Sequence, residues 1–239
     1  MKRPKPLLLF VFGGLLAILL VLMVYRRAGP VPQSAMRAEE RAAVAPTNMV
    51  ALNLTNFFNA DLDVPWNGTS YPGDDLAELP RGLQKFDGVR FDIQGVIQLS
   101  GREWKKRGLR YPEKVEGMPV QRACRYLFLL HADGGAKAPN GTTVARVVLH
   151  YNDGTTAEIP IQHDIHVKDW WNYGQPPPSD PNTVVAWTGQ NQATARMGKS
   201  IRLYKTRFEN PFPPKRIESL DYVSAMEDPG PLLVAVTLQ

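Results

Sequence analysis

The sequence predicts an all-β fold, an antiparallel β-sandwich or jelly roll, carried behind a single N-terminal transmembrane helix. Three observations lead there. Beyond Asn48 the apolar residues fall into about nine or ten short runs, several with two-residue alternation. Gly, Pro, Asn and Asp separate those runs, and no long helical segments alternate with them, which argues against βαβ units. Ahead of Asn48, Leu7–Val24 is a stretch of 18 apolar or glycine positions without a charge.

At ~1.5 Å per residue that stretch makes a helix of about 27 Å, close to the ~30 Å hydrocarbon thickness of a bilayer. Lys2, Arg3 and Lys5 stand before it, and Arg26 and Arg27 close it. A cleaved secretory signal is the alternative, but its apolar region runs to about 7–15 residues and ends at a small-residue site. Here the nearest such site, Ser34-Ala35, lies well downstream. The expectation is therefore an uncleaved anchor over residues 1–27. Positive charge nearly balances across the helix, and the very short basic head favours a cytoplasmic N terminus. The soluble part is then expected outside the cytoplasm, tethered to the cell membrane. Residues 28–48, rich in Ala and Pro, read as a stalk, with the β-sandwich domain over residues 49–239.

Within that domain residues 74–79 read as a short helix. Residues 89–99 place Val89, Phe91, Ile93, Ile97 and Leu99 on one face of a strand, interrupted at Gly95 by a bulge or close approach. Residues 103–107 read as a second short helix, and 122–131 as a strand buried on both sides. Residues 142–151 and 155–162 flank Asn152-Asp153-Gly154, whose Asp-Gly pair suits the positive φ of a tight hairpin turn. Further strands are expected at 184–188, 200–208, 216–223 and 232–238.

The net charge of +5 does not signify nucleic-acid binding. Of the 28 Lys and Arg, five flank the apolar stretch, and the remaining 23 match 23 acidic residues that all lie beyond Arg27. A formally neutral domain has no long-range field for phosphates. The local patch REWKKRGLR, residues 102–110, reads as a solvated loop. Cys124, the single cysteine, sits in an expected buried strand and reads as structural. G-x-S-x-G, Walker A, G-x-G-x-x-G and H-E-x-x-H patterns do not occur. His131, His150, His163 and His166 fall close together in sequence. If residues 163–166 are extended, however, His163 and His166 face opposite ways, which opposes chelation by that pair.

The aromatic positions are more informative. Asp169-Trp170-Trp171-Asn172-Tyr173 leads into Pro176-Pro177-Pro178, and Trp66-Asn67 lies in another polar loop. Flat rings stack on sugar faces while Asp and Asn take hydroxyls, which makes Asp169, Trp170, Trp171, Asn172, Tyr173, Trp66 and Asn67 the candidate ligand-binding residues. The competing reading is that the tryptophan pair plugs the core, where large rings are commonly buried.

Several segments together resemble galactose-binding-like jelly-roll domains of anchored and secreted bacterial proteins. They include residues 76–82 and 86–93, the strand ending in His131, and His150-Tyr151-Asn152-Asp153-Gly154-Thr155. Asp169-Trp170-Trp171, residues 203–211 and residues 217–222 continue the series over essentially the whole soluble part. The resemblance implies a binding module of the cell envelope, directed to glycan or to an envelope protein, with no catalytic residues. It also implies a structural calcium in many members, to which Asp74 and Asp75 are the candidates here, although no spaced ligand motif stands out. Three classes fit: a carbohydrate-binding module, which is favoured; a protein-interaction or structural β-sandwich module without sugar binding, which predicts a bare apolar or edge-strand patch; and a hydrolase, which predicts a cleft of titratable groups.

Overall fold

The computed structural model describes residues 49–66 and 71–239. The expected anchor over 1–27, the stalk over 28–48 and Asn67 lie outside those residues. Among the described residues no helix is long and apolar enough to cross a membrane.

The fold is mostly antiparallel β-sheet. The larger sheet orders β1 (Val50–Ala51), β13 (Gly230–Leu238), β6 (Tyr126–Gly134), β11 (Ser200–Glu209) and β10 (Thr183–Gly189). β4 (Ile97–Gln98) also pairs with β13, and β9 (Trp171–Asn172) with β11. The smaller sheet orders β5 (Lys114–Arg122), β12 (Ile217–Ser224), β7 (Thr143–Tyr151) and β8 (Thr156–Gln162). A separate ribbon pairs β2 (Gly82–Phe86) with β3 (Val89–Ile93). Two short helices complete the described elements, α1 (Arg102–Lys106) and α2 (Gln192–Ala195).

The larger sheet is covered on both faces, and this explains its composition. Along β6, Leu127 and Leu129 enter a core shared with Val147, Leu149 and Leu220 of the smaller sheet. The alternate residues Phe128, Leu130 and Ala132 enter a second core, shared with Phe91 and Ile93 of the ribbon. A strand with apolar partners on both sides reads as a continuous apolar run, as residues 127–130 do. Burying a Leu or Phe side chain contributes roughly 1.5–3 kcal/mol, so two cores on one sheet supply much of the stability.

The hairpin at residues 152–154 forms as the sequence requires. Tyr151 N donates to Thr155 O at 2.9 Å, Asp153 Oδ1 accepts from Thr155 N at 3.0 Å, and Gly154 takes φ +82°. Three expectations change. The close approach expected at Gly95 is present, since an added Cβ would lie 2.7 Å from the Phe58 ring, but the single face expected over 89–99 is not. Val89, Phe91 and Ile93 then belong to the second core, and Ile97 and Leu99 to the first. The strand expected at 122–131 runs over Tyr126–Gly134. Residues 74–79 form turns in place of a helix, because Asp75 Oδ1 accepts the Ala77 N–H and competes with a helical ladder.

Candidate functional site

At one end of the second core Trp66, Trp104, Trp170 and Trp171 come together, and three of the four indole N–H groups have a named partner. Trp66 stacks on Trp170 with centroids 5.3 Å apart and planes at 23°. Trp66 Nε1 donates to Gln98 Oε1 at 3.1 Å, and Trp104 Nε1 to Gly134 O at 2.8 Å. Trp171 Nε1 donates to Asp74 Oδ1 at 2.8 Å. Satisfying these three donors offsets the cost of burying their rings. Close packing of the main chain helps: Gly135 has φ +88°, and an added Cβ there would stand 2.2 Å from Trp104 Nε1.

Over this layer opens a cavity of about 400 Å³. Trp104, Trp170 and Trp171 form its apolar side, joined by Tyr71 and Tyr173 at the mouth. Tyr71 meets Trp171 edge-on at 5.3 Å, and Tyr173 lies tilted 6.1 Å from the same ring. Asp74, Asp169, Arg107 and Lys137 supply the polar groups.

Backbone pairing sets Asp169 in the wall. Trp170 N donates to Asp133 O at 2.9 Å, and the Asp169 Oδ1 accepts Trp171 N at 2.9 Å. Burial pushes the Asp169 carboxyl up to about 7; the Trp171 N–H offsets part of that, and the charges of Asp133 and Asp74 add to it. The site therefore holds a carboxyl that changes charge near neutral pH. Burial likewise raises the Tyr173 phenol to about 12, which keeps it a neutral donor.

The structure gathers Asp169, Trp170, Trp171 and Tyr173 around this cavity. Trp170 and Trp171 are core residues, 2% and 7% exposed; the exposed ring of the three is Tyr173, at 47%. Trp66 lies beneath, against Trp170. Asn172 stands on β9 and fixes its loop, donating to Ser200 Oγ at 3.1 Å and accepting from Gly174 N at 3.0 Å. Tyr71, Trp104, Arg107 and Lys137 were not candidates from sequence. Trp104 and Arg107 carried a signal, since both fall within the basic patch at 102–110.

The remaining candidates fall elsewhere. His131 is fully buried and bonds to Thr206 Oγ1 at 2.8 Å; burial pushes it down to about 3, so it is neutral. His150 bonds to Asp221 Oδ2 at 2.7 Å. Burial raises the Cys124 thiol to about 11, which suits a structural residue. Among the described residues no three His, Cys, Asp or Glu side chains converge as metal ligands. Asp74 meets N–H donors instead, from Trp171 Nε1 and from Asn191 Nδ2 at 3.0 Å. No family model, no curated protein and no solved structure matches this chain, so the reading of the pocket rests on its own geometry.

Proposed function

We propose that the chain is a membrane-anchored, non-catalytic binding module of the cell envelope whose pocket takes carbohydrate. The observation that carries this reading is the union of exposed aromatic rings and hydrogen-bonding groups in one recess of about 400 Å³. That volume lies in the range of small-ligand sites, which pair apolar walls with a few placed polar groups. Tyr173 and Tyr71 offer faces for sugar C–H groups, Asp169 exchanges hydrogen bonds with hydroxyls, and Arg107 and Lys137 donate. The domain is read as a galactose-binding-like jelly roll, and the uncharged stretch Leu7–Val24 supports its tethering at the membrane.

A second reading draws on the Asp169 carboxyl. A titratable acid raised toward neutrality in a cleft, with Asp74 lining the same cavity, is also what glycoside hydrolysis employs. One experiment separates the two: the full-length chain is presented to a broad glycan array, and bound glycans are then incubated with it and assayed for new reducing ends. Binding without cleavage, weakened about tenfold or more by Tyr173→Ala, supports the binding module. Cleavage lost in Asp169→Asn supports the hydrolase. An array with no bound glycan refutes the carbohydrate reading.

A further inference from the structure

We infer that the pocket selects acidic saccharides, with the ligand carboxylates held by Arg107 and Lys137 and the chain continuing past Leu109 toward Arg110. The inference rests on the carbohydrate reading and adds the class of sugar.

Two recesses adjoin. The aromatic cavity and a broader, more open depression share Leu109, and the depression is lined by residues 108–113 together with Lys105. An extended ligand seated on Tyr173 therefore has a path along the segment that follows α1.

The cations on this path are unequally committed. Arg107 Nη2 donates to Gly135 O at 2.8 Å and its Nε meets Glu103 Oε1 at 3.4 Å, so Nη1 has no partner among the described residues. Lys105 is taken by Glu113 at 2.6 Å. Lys137 and Arg110 have no ion pair or side-chain hydrogen bond among the described residues, and both are exposed. The remaining Nη1 of Arg107 and an ammonium unpaired among the described residues, both lining the aromatic recess, match a sugar carboxylate beside a ring face. Glu113 is paired with Lys105 and Glu103 meets both Lys106 and Arg107, while Asp74 and Asp169 line the aromatic cavity itself, so the uncommitted positive charge on this path is that of Lys137 and Arg110. A neutral sugar would use none of that charge. The patch at 102–110 thus has a role beyond solvation: Trp104 turns inward to build the apolar wall while the bases stay outside.

The test uses full-length chain in non-ionic detergent and measures binding of an oligogalacturonate, a neutral galacto-oligosaccharide of equal length, and a polyphosphate of equal charge. The acidic sugar is expected to bind best, with Lys137→Ala and Arg110→Ala each lowering its affinity about fivefold and added salt weakening it. Both side chains are exposed, so neither variant disturbs the core. Equal binding of the neutral sugar, unaffected by either variant, overturns the inference and leaves the carbohydrate reading standing. Polyphosphate bound as tightly as the sugar acid also overturns it, since the patch would then be a general polyanion surface. If no saccharide binds, the carbohydrate reading fails along with the inference.

Discussion

His163 Nδ1 lies 2.6 Å from Asp133 Oδ2, and both side chains are buried, so the residue after β8 of the smaller sheet is tied to β6 of the larger one. Burial pulls the imidazole down, but the hydrogen bond and charge of Asp133 outweigh it and raise His163 above its ordinary 6.5. Burial pushes the Asp133 carboxyl up, the charge of Asp164 adds to it, and His163 opposes that rise. The remaining oxygen, Asp133 Oδ1, has no hydrogen-bond partner among the described residues. Removing the imidazole therefore leaves a buried carboxyl with no direct donor.

His163→Ala is expected to cost about 3–5 kcal/mol in urea unfolding at neutral pH, since one partner of a buried pair is lost. The pH dependence has a fixed sign. Because the folded-state pKa of His163 is raised, its stabilisation is complete below 6.5 and is lost as pH rises through the higher folded value. Proton NMR of the ring is expected to place its midpoint above 6.5 in the parent and lower in Asp133→Asn, where only the charges of Asp164 and Asp169 still oppose burial. A midpoint that Asp133→Asn leaves in place would refute the pairing.

Trp170 and Tyr173 separate structure from binding. Trp170 is 2% exposed and stacked on Trp66, so Trp170→Ala is expected to destabilise the domain by about 3–5 kcal/mol. Tyr173 is 47% exposed, and Tyr173→Ala is expected to change stability by less than about 0.5 kcal/mol while weakening glycan binding. Thermal melts of the two variants beside the parent check this directly. Equal loss of stability in both would remove Tyr173 as a ligand contact.

Much of the sandwich was legible because its strongest strands face apolar partners. Residues 142–151 and 155–162 announce themselves by alternation around Asp153-Gly154, and the observed strands end within a residue of those bounds. β5 was not legible. Its sequence KVEGMPVQR carries three charged residues, Gly117 with φ +74° and Gln121 with φ +53°, and its pairing with β12 is shifted twice. An irregular edge strand has no clean two-residue period to read. The pocket was half legible for a related reason. Asp169, Trp171 and Tyr173 are neighbours in sequence, whereas Tyr71, Arg107 and Lys137 reach them only through the fold. Side chains brought together across such distances leave no local pattern.

Gly135 tests how tightly the pocket wall is packed. Its φ of +88° disfavours any L side chain, and the space a Cβ needs is held by the Trp104 indole. Gly135→Ala is expected to lower stability by about 2 kcal/mol or more and to shift Trp104 fluorescence as the ring moves from Gly134 O. Gly154→Ala is the control, since it has a similar φ of +82° with open space around it. Its cost is expected near 1 kcal/mol, from backbone strain alone. Equal costs at the two glycines would show that Trp104 yields freely and does not define the wall.

Asp169 should make both stability and ligand binding depend on pH. The charges acting on it come from Asp133, Asp74 and His163, with the Trp171 N–H as its direct donor. Its folded value, raised to about 7 from an ordinary 3.8, means that the folded state holds this proton more tightly than the unfolded chain. Its stabilising contribution is thus whole below 3.8 and lost as pH rises through about 7. Asp169→Asn keeps an Oδ1 for the Trp171 N–H and carries no charge, so it is expected to exceed the parent's stability at pH 8.5 by about 1–3 kcal/mol. At pH 4 the two should match. His163 titrates in an overlapping range and is coupled to Asp169, so the difference between the two chains includes the loss of that coupling. The same proton bears on an acidic ligand, which an ionised Asp169 repels and a neutral one can bond. Affinity for oligogalacturonate should therefore fall between pH 6 and pH 8 in the parent and stay level in Asp169→Asn. A parent whose affinity is flat over that range, with no stability gain in the variant, would place the Asp169 charge outside the pocket's chemistry.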